Sequence, residues 1–246
     1  MTLKTKRLTA AILTLITLTV SVAEAARVGP AGPRGPMGPA GTPGRNSAPG
    51  GASVHAIGEQ YQGGKIIWVD ADGQHGIIAA LANQSAGVRW SNGTNYFTNA
   101  TADGIYAGAK NTEVIIATQT SIGLVCGETI KPTYCNETNS DNITGNFAAL
   151  VAANYRVQDN GVNVCTGSTN EICWGDWYLP SLFELSLLLD YSLNNSDLGV
   201  FVRDNYWSST ETTGWNDHAW VRHFANTGTG GGGKWLPLPV RAVRAF

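Results

Sequence analysis

The chain has 246 residues, 43% of them hydrophobic and 14% charged, with 16 basic against 18 acidic side chains and a net charge of −2. That length and apolar content are enough for a sizeable core, and the near-neutral balance excludes the basic footprint of a nucleic-acid binder. No transmembrane span is expected either, because no apolar run reaches the ~20 residues that crossing a bilayer takes.

Lys4, Lys6 and Arg7 precede a mostly apolar, Thr-rich stretch over 8–22, and Ala23-Glu24-Ala25 follows. A basic segment, an apolar segment and an A-x-A site make a secretory signal peptide over 1–25, removed on export. The expected location is secreted or extracellular, with retention on an outer membrane surface as a further option. From Val54 onward the chain carries 10 basic and 17 acidic residues, net −7.

Residues 26–44 read as a collagen-like stalk. Gly29, Gly32, Gly35, Gly38, Gly41 and Gly44 stand three apart, with Pro30, Pro33, Pro36, Pro39 and Pro43 between them. In a triple helix every third residue faces the crowded common axis, where only glycine fits, and proline presets the extended strand. A disordered Gly/Pro linker carries no such period. Five complete triplets offset little of the entropy of ordering three chains. Something else must hold a homotrimer together, and the following domain is the candidate.

Residues 45–53 are a flexible linker by composition, and 54–246 form one C-terminal domain. A β run at 65–69 ends in the turn Asp70-Ala-Asp-Gly73, and 75–80 is the return strand. Short helices are expected at 111–118 and 146–155. The clearest helix signal follows Trp177: Ser181-Leu-Phe-Glu184 is a capping box, preceded by Pro180, and Leu182, Leu185, Leu188 and Leu189 then share a face. Strands return at 205–210, 219–224 and 239–246. Strand, helix and strand in that order predict an α+β architecture. Cys126, Cys135, Cys165 and Cys173 are an even set in an exported chain, so two disulfides are expected. Spacing favours Cys126 with Cys135 and Cys165 with Cys173 among three possible connectivities. A metal centre would want a C-x-x-C pair, which is missing.

Gly175-Asp-Trp-Tyr-Leu-Pro-Ser-Leu-Phe-Glu-Leu185, Tyr206-Trp-Ser-Ser-Thr-Glu211 and Val240-Arg-Ala-Val-Arg-Ala-Phe246 together resemble the C-terminal domain of the Legionella collagen-like adhesin family, as do Gly63-Gly-Lys-Ile-Ile-Trp-Val-Asp70 and His75-Gly-Ile-Ile-Ala-Ala80 upstream. The resemblance covers nearly all of 54–246. It implies a loop-rich, C-type-lectin-like head behind the stalk. It also implies a trimeric surface adhesin that binds sulfated glycosaminoglycans and supports host attachment, clumping and biofilm. Trp177, Trp207 and Trp220 then read as core aromatics.

Arginine suits sulfate because its planar fork can donate two hydrogen bonds to an oxyanion. The candidate ligand-binding cations are Lys65, Arg89, Lys110, Arg203, Arg222, Lys234 and Arg241. Of Arg241 and Arg244, three apart in a strand, at least one is expected to be buried against a carboxylate such as Glu184 or Glu211. Arg244 is assigned that structural role. Arg222 shares a strand face with Trp220 and Phe224, as a stacked core arginine or as the rim of a sugar site. Trp215 and Trp235 lie in Gly-rich loops. They are expected to pack back onto the core, with an exposed sugar platform as the alternative.

Gly228-Thr-Gly-Gly-Gly-Gly233-Lys234 has phosphate-loop spacing, but Trp235 stands where the Ser/Thr should be and no helix follows, so it reads as a flexible loop. The turn at 70–73 lacks the rest of a calcium loop. His55, His75, His218 and His223 have no metal spacing. No catalytic residues, no cofactor and no metal are expected. An enzyme reading would rest on fold analogy alone, and a head that serves only to trimerise the stalk is the competing class.

Overall fold

The computed structural model describes residues 53–93, 95–120, 145–199, 201 and 205–246. The signal peptide, the collagen-like repeat, Arg203 and the Cys126/Cys135 pair lie outside them.

The chain between Val54 and Ala80 folds as the β-branched runs predict. β1 (Gln60–Tyr61) and β2 (Gly64–Val69) pair, and β2 pairs in turn with β3 (Gly76–Ala80), all antiparallel. Asp70 closes the intervening turn by accepting from the Gln74 and His75 backbone N–H groups at 3.1 and 3.3 Å. Every residue of β3 is buried. Ile78 and Ala80 enter one apolar cluster and Ile77 and Ala79 the other. A strand covered on both faces reads as a continuous apolar run rather than an alternating one.

The far end of the sequence closes this sheet. β11 (Val243–Ala245) adds to β3, giving the order β1-β2-β3-β11. The expected single strand at 239–246 is therefore two. β10 (Leu238–Val240) pairs instead with β4 (Ser85–Val88), and the break falls at Arg241 and Ala242, where the arginine turns inward.

β7 (Asn205–Glu211), β8 (His218–His223) and β9 (Thr229–Gly233) form a three-stranded antiparallel sheet. β9 overturns the flexible-loop reading of the glycine run. A Cβ on Gly232 would stand 2.8 Å from Val221 Cγ1 and 3.0 Å from the Trp207 ring. Glycine thus lets an edge strand press flat onto two core side chains. β4 is tied to β7 by reciprocal indole bonds: Trp207 Nε1 donates to Val88 O and Trp90 Nε1 to Ser208 O, both at 2.8 Å.

The helices are α1 (Ala107–Gln119), α2 (Ala148–Ala153) and α3 (Leu182–Asn194), and β5 (Val157–Gln158) and β6 (Cys173–Trp174) make a small ribbon. α3 starts on the expected capping box, with the Ser181 hydroxyl accepting from Glu184 N–H and Glu184 accepting from Ser181 N–H. Its Leu185, Leu188 and Leu189 are buried, and it packs against β2, β7 and β8. The result is a loop-rich α+β unit. No helix among the described residues is long and apolar enough to cross a membrane.

Candidate binding surface

Six of the seven candidate cations lie among the described residues, and those six do not converge. Lys110 is the freely exposed one, with its side chain 73% accessible, and it pairs with Glu113 one turn on at 2.9 Å. Lys65 is half-buried, donates to Gly58 O at 3.1 Å and pairs with Asp197 at 3.2 Å. Arg89 is half-buried and partnered. Arg222 is half-buried on β8 opposite Tyr206, and its Nε is enclosed with no hydrogen-bond partner among the described residues.

Lys234 and Arg241 must be withdrawn from a surface set, at 0% and 1% exposure. Arg241 Nε donates to Asn83 Oδ1 at 2.8 Å, Nη1 donates to Ala80 O and Leu198 O at 3.0 and 2.8 Å, and the guanidinium lies over the Phe201 ring at 4.2 Å. Burial brings its pKa down to about 10, so it stays protonated at neutral pH. It is a core arginine satisfied by carbonyls, not by a carboxylate. Among the described residues Arg244 also makes no salt bridge with a carboxylate. It donates to Gln62 Oε1 and stacks over Trp174 at 4.9 Å.

The two carboxylates expected to pair with those arginines serve elsewhere. Glu184 accepts from the N–H groups of Tyr106, Gly108 and Ser181 and from the Tyr178 hydroxyl, at 2.7, 3.2, 2.8 and 3.0 Å. Burial raises its pKa, and these donors oppose the rise by stabilising the ionised form. Glu211 pairs with Lys234, and neither side chain is exposed. Burial lowers the Lys234 pKa, with the hydrogen bond to Glu211 as the main opposing influence.

This Lys234–Glu211 pair anchors three loops. Lys234 Nζ also donates to Tyr96 O and Asn216 O, at 3.0 and 2.6 Å. Glu211 Oε2 accepts from the N–H groups of Thr98 and Asn99 at 2.9 and 2.8 Å. The ammonium lies over the Trp90 ring at 4.5 Å. Outside this buried knot stand the two indoles expected in the core. Trp215 is 64% exposed and Trp235 49%. Each meets the His218 ring edge-on, with centroids 5.3 and 5.7 Å away. Tyr96, whose carbonyl Lys234 holds, and its neighbour Phe97 are also exposed. Segment 95–99 has no periodic signal, so nothing in the sequence marked it.

Cys165 and Cys173 form the expected disulfide, with Cα atoms 5.8 Å apart. The Glu171 carboxylate organises the enclosed loop, accepting from the N–H groups of Thr166 and Gly167 at 2.8 and 2.6 Å. A shallow cavity of about 290 Å³ is lined by Arg156 together with Glu113, Asp176 and the Tyr178 side of the core, so its charge is mixed. Among the described residues no three His, Cys, Asp or Glu side chains gather as a metal site.

No protein-family profile matches the chain, and no curated protein matches it.

Proposed function

We propose that this chain is an exported, collagen-like trimeric adhesin. Its C-terminal head holds three chains together and binds anionic or sulfated polysaccharide, supporting attachment or clumping at the cell surface. The strict glycine period at 29–44 carries the proposal, because that period serves a three-chain helix and five triplets need help to assemble. A head with its own core, a disulfide-closed loop and exposed side chains on its loops suits a binding module. The C-type-lectin-like description of the head belongs to the same proposal.

After removal of Lys234 and Arg241, the electrostatic contacts fall to Lys65, Arg89, Lys110, Arg203 and Arg222. Three-fold repetition lets weak sites of this kind act together. Retention of the mature chain on heparin at low salt, weakening as salt rises, is the expected result. The pairing of Lys65 and Lys110 with acids favours the second reading, a head that only trimerises the stalk. Absence of retention by heparin and by neutral polysaccharide alike, even at low salt, decides for that reading.

A further inference from the structure

Six aromatic side chains are exposed among the described residues: Tyr96, Phe97, Tyr106, Phe183, Trp215 and Trp235. Four of them sit within one position of a group bonded to the Lys234–Glu211 pair. Tyr96 gives its carbonyl to Lys234, Phe97 precedes Thr98, Trp215 precedes Asn216, and Trp235 follows Lys234 itself. A buried ion pair is weak as a source of stability, and its desolvation can exceed its attraction. What this one does is fix three loops at one place. Each of those loops turns an aromatic face to water.

The two indoles are preset. Both stand edge-on to His218, whose Nδ1 is held by Asp217 Oδ1 at 2.7 Å. The Trp235 ring lies flat on Gly233, where a Cβ would come within 2.5 Å of it. The Thr212 hydroxyl shares its one proton between the carbonyls of Trp215 at 3.2 Å and His218 at 3.0 Å. Asn216 Nδ2 bridges to Asn95 O at 2.8 Å and joins two of the loops. Rigid, solvent-facing rings have little freedom left to lose when a ligand covers them.

The charge of the patch selects the ligand. Its cation, Lys234, is neutralised by Glu211 and sealed from solvent, and the other charged group, the Asp217 carboxylate, holds the His218 ring and offers a polyanion no attraction. A polyanion gains nothing here. Uncharged pyranose rings fit, because their C–H faces stack on indole. We propose that the Trp215/Trp235 platform is a stacking site for uncharged sugar residues of a polysaccharide chain. This deepens the polysaccharide-binding reading and rests on it, but moves the contact from arginine to indole.

Affinity electrophoresis of the mature full-length chain tests it, in gels holding galactomannan, mixed-linkage β-glucan or dextran, with heparin in parallel. At least one neutral polymer should retard the chain, and the retardation should persist at about 1 M salt, where the Debye length is about 3 Å. Trp215→Ala and Trp235→Ala should each weaken it roughly tenfold, with an unchanged unfolding midpoint, and Trp215→Phe should keep most of it. No retardation by any neutral polymer overturns the proposal, as does parental binding by both alanine variants. If heparin alone retards the chain, equally in both variants, the platform fails while the adhesin reading stands. If neither heparin nor a neutral polymer does, both fail. Loss of oligomeric state in the tryptophan variants would make the patch an interface between copies, and overturns the sugar site.

Discussion

Lys234 and Glu211 meet at the ends of β9 and β7 with no solvent access to either side chain, and through them the backbones of Tyr96, Thr98, Asn99 and Asn216 are joined. Removing one partner leaves the other charged and buried, at about 3–5 kcal/mol. Lys234→Met and Glu211→Gln should each show that loss in urea unfolding. The double replacement Lys234→Met with Glu211→Leu should recover a good part of it. Single variants within about 1 kcal/mol of the parent would contradict the burial of this pair.

Arg241 should behave as a core residue. Lysine cannot reproduce the fork that serves Asn83, Ala80 and Leu198, so Arg241→Lys should cost about 1–3 kcal/mol through unmet carbonyls. Retention on heparin at temperatures below the unfolding midpoint should equal that of the parent. A selective drop in retention with stability intact would return Arg241 to the surface.

The start of α3 offers a graded pair. Ser181→Ala removes a cap worth about 1 kcal/mol. Glu184→Gln should cost more, about 2–3 kcal/mol, because one amide oxygen replaces a carboxylate that accepts four donors. Chemical denaturation of both variants checks the order, and a larger loss for Ser181→Ala would contradict it.

The disulfide loop should loosen in acid. Hydrogen bonds from Thr166, foremost, and then from Gly167 and Gln158 hold the Glu171 pKa below its ordinary 4.5. A depressed folded value means that the stabilisation is complete above the unfolded pKa and is lost as pH falls through the folded one. The protection of the Thr166 and Gly167 amides, measured against their intrinsic exchange rates, should therefore fall below about pH 4.5, and Glu171→Gln should abolish that step.

What the sequence revealed follows the range of the signal. α3 was legible because its capping box and leucine spacing are local. The β2–β3 hairpin was legible because β-branched runs flank a turn of Asp and Gly. β9 was not, since glycine carries no side-chain pattern and its place is set by Trp207 and Val221 on other strands. β4 is four residues whose register is fixed by β10, at the far end of the chain. The cations misled for a general reason: lysine and arginine are almost never fully buried unless paired. Their partners here are distant in sequence, Glu211 for Lys234 and Asn83, Ala80 and Leu198 for Arg241. The converse expectation, that tryptophan is highly buried on average, put Trp215 and Trp235 inside, whereas both are exposed.

Sedimentation equilibrium of the mature, full-length polypeptide at micromolar concentration bears most directly on a glycine-repeat protein assembled by its own head. A single species of three chains is the expected outcome. A single-chain species across the whole concentration range would contradict it.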